Sequence, residues 1–158
     1  NYLISDSNSK FYIGISDPIV QKRYYQIFKK KIVKVDQKPI IDPSAIIKSN
    51  VIIGKNSIIL ENAIIGPNVS ISQNVFVGSG SIINHDSDIG SFSTIGHGSN
   101  LAGNIKIKNN CVIGISSTIK QNVKIASNVI VGSGSNVIKN CDSNSKYYGN
   151  PSKKRGKF

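Results

Sequence analysis

The sequence predicts a mainly β fold, a left-handed parallel β-helix of hexapeptide repeats preceded by part of a small α/β domain. Two observations predict the β-helix. Residues 41–142 divide into consecutive groups of six without an insertion, and the first position of every group is Ile, Leu or Val. The fifth position is always Ala, Val, Ser, Ile or Cys, which are residues small or compact enough for the inside of a narrow corner. Three such hexads make one coil, and stacked coils build a continuous core.

Two further positions of the repeat have residue types that are typical of chain turns. Gly recurs at the second position and Asn at the fourth. Both residue types tolerate unusual φ angles, so we predict that both positions turn the chain at corners. An α-helical interpretation fails, because an aliphatic residue at every sixth position never forms a stripe with a 3.6-residue period.

The chain divides into three parts on this evidence. We predict a partial α/β domain over residues 1–38, the β-helix over 39–142 and a basic C-terminal tail over 143–158, in which a turn at Pro151 precedes basic residues. The sequence contains no Met, which predicts that Asn1 is a fragment boundary or a processed end.

The first part has the pattern of a β-α-β fragment. Residues 11–16, FYIGIS, predict a short buried strand, and residues 32–35, IVKV, predict another. Residues 17–31 predict a helix with Asp17 as its N-cap and Pro18 at its first position.

The charge of the chain is strongly positive, at +12. The basic residues cluster before and after the repeats, where they favour a diphosphate-containing ligand or form a solvated surface. Nucleic-acid binding is disfavoured because no aromatic-interleaved basic motif is present. No apolar run approaches the roughly 20 residues of a membrane span, and no signal-peptide pattern occurs. We therefore predict a cytoplasmic protein.

The two cysteines both occupy the inward fifth position of their hexads. Cys111 and Cys141 are not separated by a whole number of coils, which predicts that they lie on different faces. A disulfide needs a close Cα approach. We therefore predict two buried core thiols.

The two histidines occupy the third position, which faces outward beside a corner. His85 and His97 are two hexads apart, so they lie on different edges of one prism and meet only across a subunit interface. The residues that register stacks over them are Gly103 and Gln121 over His85, and Ile115 and Ser133 over His97.

His85 is the candidate general base. Such a base needs a carboxylate to fix the tautomer of its imidazole, and either Asp86 or Asp88 meets that need from the sequence INHDSDIG. The alternative is that His85 is an ordinary polar surface residue. That alternative is stronger for His97, which lies between two glycines with no adjoining acid.

Five segments carry a family resemblance: INHDSDIG, LAGNIKI, CVIGISSTI, VGSGSNVIKN and YYGNPSKK. They resemble the hexapeptide-repeat acetyltransferases of the sialic acid O-acetyltransferase type. Within that family they are most similar to bacterial N-acetyltransferases acting on UDP-4-amino sugars, such as the bacillosamine-pathway enzyme. The resemblance covers the repeats, the tail and residues 11–35, which match the second half of the family's nucleotide-sugar-binding domain.

The resemblance implies a homotrimer with active sites between neighbouring subunits. It implies direct transfer from acetyl-CoA to the amine of a UDP- or GDP-linked amino sugar, without a metal. In that mechanism His85 is the general base and Asp86 orients it.

The resemblance also implies the binding residues. Thr94 stands where some relatives carry a second histidine. The residues implied to contact acetyl-CoA are Gly103, Ile115, Gly132, Ser133 and Lys153. The residues implied to contact the sugar nucleotide are Ser16, Asp17, Asn84, Thr94 and His97.

Three other functions remain open at this point. A zinc carbonic anhydrase of the γ class shares the prism but needs three histidine ligands, and the chain has two. A structural or ice-binding β-helix is the non-enzymatic alternative, although ice binders of this shape repeat Thr along a flat face. The third is O-acetylation of sialic acid or of another sugar hydroxyl, or acetyl transfer to a small amine such as serine.

Overall fold

The computed structural model describes residues 12–15, 17–31 and 37–158, in which one helix precedes a column of short strands. The strands form three parallel sheets, A, B and C, one on each side of a triangular prism. Sheet A is β1-β4-β7-β10-β13-β16-β18-β19, sheet B is β2-β5-β8-β11-β14-β17, and sheet C is β3-β6-β9-β12-β15. The strands are β1 Ile40–Ile41, β2 Ile46–Ile47, β3 Ile52–Ile53, β4 Ile58–Ile59, β5 Ile64–Ile65, β6 Ser70–Ile71, β7 Phe76–Val77, β8 Ile82–Ile83, β9 Asp88–Ile89, β10 Thr94–Ile95, β11 Asn100–Leu101, β12 Lys106–Ile107, β13 Val112–Ile113, β14 Thr118–Ile119, β15 Lys124–Ile125, β16 Val129–Val131, β17 Asn136–Val137, β18 Ser145–Tyr148 and β19 Lys153–Lys157.

In the regular coils each strand pairs in parallel with the strand one coil further on. Ile46 pairs with Ile64, for example, and Asn100 pairs with Thr118, one coil apart in each case. The predicted left-handed parallel β-helix is confirmed.

The first and fifth positions of the repeat form the core, as predicted. First-position side chains such as Ile59 and Ile95 are fully buried. The buried serines of the fifth position also donate hydrogen bonds to corner carbonyls of the next coil, as Ser99 does to the Gly114 oxygen at 2.9 Å. Serine at the fifth position therefore satisfies a buried carbonyl as well as fitting the space, whereas the aliphatic fifth-position residues only fill it.

The two corner positions differ in what they require. Fourth-position asparagines have positive φ, 58° at Asn68 and 65° at Asn122, as predicted. The prediction was wrong for the second-position glycines, which do not have positive φ. A Cβ built on Gly96 would lie 2.6 Å from the Ile115 nitrogen and 2.7 Å from the Ile113 oxygen. Glycine is needed there because the next coil passes too close for any side chain.

The last coil departs from the regular spacing. Ile125 bridges to Cys141 and Val129 pairs with Ser145, both two residues short of a full coil. The tail is continuous with the β-helix, because β18 pairs in parallel with β16 and antiparallel with β19. The turn between β18 and β19 contains a cis Asn150–Pro151 peptide bond.

The helix α1, Pro18–Lys31, begins as predicted. The Asp17 Oδ1 atom accepts hydrogen bonds from the nitrogens of Ile19 at 2.9 Å and Val20 at 3.0 Å. The helix packs on the edge between sheets C and A, where the ring of Tyr25 meets Phe92 edge-on at 5.6 Å.

The predicted strand over residues 11–16 is absent from its described part. Residues 12–15 form no strand, and none of the described strands pairs with them. Phe11, Ser16 and the predicted strand over 32–35 lie outside the described residues.

The two cysteines are free and buried, as predicted. Burial raises the pKa of the Cys111 thiol to about 11 and that of Cys141 to about 12. In the described part of the chain no helix is long and apolar enough to cross a membrane.

Candidate active site

Two edges of the prism carry the candidate residues. We call the edge between sheets B and C the His85 edge, and the edge between sheets A and B the His97 edge. The third-position residues of the His85 edge include Ser49, Pro67, His85, Gly103 and Gln121, and those of the His97 edge include Pro43, Glu61, Ser79, His97, Ile115 and Ser133.

His85 and Asp86 form a hydrogen-bonded pair. The Nδ1 atom of His85 lies 2.7 Å from Oδ2 of Asp86, and their side chains are 51% and 52% exposed. The hydrogen bond from His85, followed by one from Asn68, lowers the pKa of the Asp86 carboxyl below its ordinary value. The ionised carboxylate only accepts, so Nδ1 carries the imidazole proton and Nε2 carries the free lone pair.

Gly103 lies over the imidazole of His85, one coil further along the chain. A Cβ built on Gly103 would overlap the Nε2 and Cε1 atoms of His85. The predicted stacking of these two residues is therefore observed. Only glycine leaves room for the ring in this position.

Asp88 is not the partner of His85. Its Oδ2 atom pairs with the Nζ atom of Lys106 at 2.8 Å. The same Nζ atom donates to the backbone oxygen of Asp86 at 3.1 Å. Of the two acids that the sequence offered, the structure assigns Asp86 to His85.

His97 has the opposite tautomer. Its Nδ1 atom accepts a hydrogen bond from the Ser79 nitrogen at 3.0 Å, and Ser79 Oγ donates to Glu61 Oε1 at 2.6 Å. A neutral imidazole whose Nδ1 accepts carries its proton on Nε2. The free nitrogen of His97 is therefore a hydrogen-bond donor, whereas the free nitrogen of His85 is a proton acceptor.

The candidate sugar-nucleotide residues are dispersed over the chain. Asn84 precedes His85, and its Nδ2 atom donates to the Leu101 oxygen at 2.9 Å. Thr94 is only 7% exposed and lies in sheet A, and Asp17 caps α1. Ser16 lies outside the described residues. Asn84 is therefore next to His85 in the chain, whereas Thr94 and Asp17 belong to other elements of the fold.

The candidate acetyl-CoA residues lie in two groups. Gly103 is on the His85 edge, whereas Ile115 and Ser133 are exposed on the His97 edge. The ring of Tyr148 covers Gly132, where a Cβ would overlap it. Lys153 is paired with Tyr148 across the terminal hairpin. One chain therefore carries the base and most of these residues on different edges.

A groove of about 510 Å³ lies over sheet C near the short last coil. Three lysines border it and supply positive charge beside the His85 edge, although Asp88 pairs with Lys106. The residues that line the groove are Lys106, Lys108, Lys124, Ile125, Ala126, Asn140 and Cys141. Among the described residues, no group of three or more His, Cys, Asp or Glu side chains could hold a metal ion.

Three residues around the two histidines were missed by the sequence analysis: Asn68, Ser79 and Lys106. Each lies one coil from a residue that was singled out, since Asn68 precedes Asp86, Ser79 precedes His97 and Lys106 follows Asp88 by 18 residues. These three residues could have been found from the sequence by looking one coil, or 18 residues, before or after each acid and each histidine.

Part of the β-helix matches a protein-family model. Residues 44–78 match the family model described as bacterial transferase hexapeptide (six repeats). No curated protein sequence matches the chain.

Several solved structures share the fold. A mutant of GDP-perosamine N-acetyl transferase from Caulobacter crescentus, in complex with CoA and GDP-perosamine, has a TM-score of 0.88 at 21% identity, covering 94% of this chain and 70% of that one. The acetyltransferase domain of PglB from Neisseria gonorrhoeae, in complex with acetyl coenzyme A, has a TM-score of 0.86 at 21% identity, with coverages of 91% and 69%.

A third similar structure has a lower score. A mutant of AntD, an N-acyltransferase from Bacillus cereus in complex with dTDP-4-amino-4,6-dideoxyglucose and Coenzyme A, has a TM-score of 0.64 at 21% identity, with coverages of 84% and 88%. At this identity the likenesses show a common fold.

Proposed function

We propose that this protein is an acetyl-CoA-dependent N-acetyltransferase, and that its acceptor is the amino group of a UDP- or GDP-linked amino sugar. The observation that carries the proposal is the His85–Asp86 pair, in which a neutral imidazole donates from Nδ1 to the carboxylate and keeps the lone pair on Nε2, the atom next to Gly103. Support for the substrate class comes from the fold shared with N-acyltransferases solved with CoA and a nucleotide-linked sugar.

The reaction requires one proton acceptor, and His85 fits that role. The amine nitrogen of the acceptor forms a bond to the thioester carbonyl carbon while His85 Nε2 takes its proton. The carbon–sulfur bond then breaks, and the proton passes from His85 to the leaving thiolate. Asp86 holds the other ring nitrogen and stabilises the imidazolium that forms between these two proton transfers.

The binding of acetyl-CoA is assigned to the edges beside the base. Gly103 presents backbone without a side chain next to the imidazole, which allows a thioester to approach. Ile115 is 52% exposed although it is aliphatic, and with Ser133 it offers a surface for the pantetheine arm. Gly132 and the tail residue Lys153 complete the candidate cofactor set.

The sugar nucleotide is assigned to residues on both sides of the base. Asn84 lies beside His85, and His97 supplies an outward N–H donor. Ser16, Asp17 and Thr94 are proposed from the family resemblance alone. The free thiols fit a reducing compartment, and we propose a cytoplasmic location.

The prism surface supports a homotrimer with shared active sites. In the first three coils the outward residues of sheets A and B are all apolar, whereas those of sheet C are Ile52 followed by Ser70 and Asp88. Apolar faces of this kind mark contact surfaces. Association through the His97 edge would bring Ile115 and Ser133 of one copy towards His85 of another.

We expect a trimeric mass from sedimentation or light scattering at the protein concentration of the activity assay. The physical reason is the burial of the aliphatic outward residues on sheets A and B. A stable monomer with full activity would contradict the shared site.

Acetylation of a sugar hydroxyl is the second candidate reaction, because the same base serves both acceptors. Sialic acid O-acetylation, which the family resemblance implied, gains no support from the similar structures described above. A non-catalytic β-helix trimer would show no binding of CoA.

The direct test is thiol release from acetyl-CoA with a panel of UDP- and GDP-linked 4-amino sugars. We expect stoichiometric free thiol and an acetylated amine by mass spectrometry with at least one member of the panel. The matched control is the same sugar nucleotide with a hydroxyl in place of the amine. Thiol release with the hydroxyl compound alone would replace the N-acetyl proposal with O-acetylation, and the absence of both reaction and CoA binding would refute the enzyme.

A further inference from the structure

A chain of hydrogen bonds runs along the His85 edge and ends on Asp86. The Asn50 Nδ2 atom donates to Asn68 Oδ1 at 3.2 Å, and Asn68 Nδ2 donates to Asp86 Oδ1 at 3.1 Å. The other carboxylate oxygen of Asp86 accepts from His85 Nδ1 at 2.7 Å. The direction of the chain is fixed, because an ionised carboxylate accepts hydrogen bonds and cannot donate them.

We propose that Asn68 is a positioning residue for the His85–Asp86 pair, an inference that rests on the proposed function. The Asp86 side chain is 52% exposed, so packing alone does not hold it. The Asn68 amide fixes one carboxylate oxygen, which aims the other oxygen at Nδ1 of His85. That contact in turn selects the imidazole tautomer whose Nε2 atom accepts a proton.

Asn68 and Lys106 hold different parts of Asp86. Lys106 donates to the backbone oxygen of Asp86 and pairs through the same Nζ atom with Asp88. The side-chain oxygens of Asp86 are held instead by His85 and Asn68. The same two hydrogen bonds are the largest causes of the lowered pKa of the Asp86 carboxyl.

Asparagine pairs elsewhere in the prism provide the structural comparison. Asn104 lies on the same edge, one coil beyond Asp86. Its Nδ2 atom donates to the Oδ1 atom of Asn122, which lies one coil beyond Asn104, at 2.8 Å. That pair joins two neutral amides, whereas Asn68 contacts a carboxylate. A purely structural role for Asn68 would therefore make its replacement equivalent to that of Asn122.

The experiment compares Asn68→Gly and Asn68→Asp with Asn122→Gly and Asn122→Asp. Glycine keeps the positive φ that both positions require, 58° and 65°. At position 68 aspartate keeps the shape of the side chain but replaces the N–H donor to Asp86 by a second carboxylate. At position 122 aspartate keeps the oxygen that accepts from Asn104, so this variant controls for the added charge. We expect both Asn68 variants to lower kcat about tenfold, as loss of such second-layer hydrogen bonds typically does, with the KM for acetyl-CoA and the melting temperature unchanged. We expect the Asn122 variants to keep wild-type kcat.

A second readout is independent of turnover. The chain has two histidines, so ¹⁵N imidazole spectra resolve both tautomers directly. In wild-type protein we expect a proton on Nδ1 at His85 and on Nε2 at His97. Both Asn68 variants should increase the Nε2–H tautomer at His85 alone.

The outcomes separate this inference from the proposed function. Unchanged kcat and an unchanged His85 tautomer in both Asn68 variants, with an active wild type, overturn the role of Asn68 only. An inactive wild type across the sugar panel refutes the proposed function, and the tautomer shift still decides whether Asn68 positions the pair. Equal losses in the Asn122 variants would assign the effect to the corner structure and overturn the inference.

Discussion

The His85→Ala substitution is expected to lower kcat by at least about 100-fold, the smallest effect typical of losing a general base. The imidazole supplies the free Nε2 atom, and alanine has no group to take the amine proton. Stability should change little, because the side chain is 51% exposed and its hydrogen bond is to an exposed neighbour. Steady-state thiol release and thermal unfolding measure the two effects.

The matched control is Gln121→Ala. Gln121 occupies the same third position of the same edge, two coils from His85, and it is exposed. We expect wild-type kcat from this control. A His85→Ala enzyme that turns over at a near-normal rate would remove the base from the proposed mechanism, whatever the substrate proves to be.

The repeat could be predicted from sequence because each position has one structural requirement, such as burial at the first position or positive φ at the fourth. First-position Ile59 is buried as predicted, and fourth-position Asn68 has the positive φ that Asn favours. The role of Gly96 could not be predicted from conformation, because the contact that excludes a Cβ comes from the next coil. The two-residue shortening of the last coil was also hidden, because Cys141 fits the hexad pattern while its pairing depends on the hairpin that follows.

The candidate site was predictable where chain neighbours or the coil register determined it. The sequence pair His85–Asp86 and the stacking of Gly103 over His85 are of this kind. The tautomer of His97 was not predictable, because it depends on the backbone N–H of Ser79, a donor that every residue type except proline supplies. Thr94 is buried although its position in the repeat faces outward. The hexad pattern identifies the inward-facing positions and does not predict the burial of outward ones.

The Gly103→Ala substitution is expected to reduce kcat/KM by about 100-fold, because catalysis falls by this order when a reacting group is displaced by about an ångström. The new Cβ would occupy the space of Nε2 and Cε1 of His85, so the imidazole must turn away. Gly103 does not have positive φ, and alanine therefore fits its backbone conformation. The melting temperature should stay close to wild type, since the ring is exposed and free to move.

A double-mutant cycle decides whether the effect of Gly103→Ala passes through His85. If alanine at this position acts by displacing the imidazole, the substitution costs nothing further in a His85→Ala background. Gly156→Ala, where a Cβ meets no atom within 4 Å, controls for the change from glycine to alanine. Additive losses in the double mutant would contradict displacement of the base. They would assign the effect to the approach of the thioester to the Gly103 backbone, which a methyl group obstructs with or without His85.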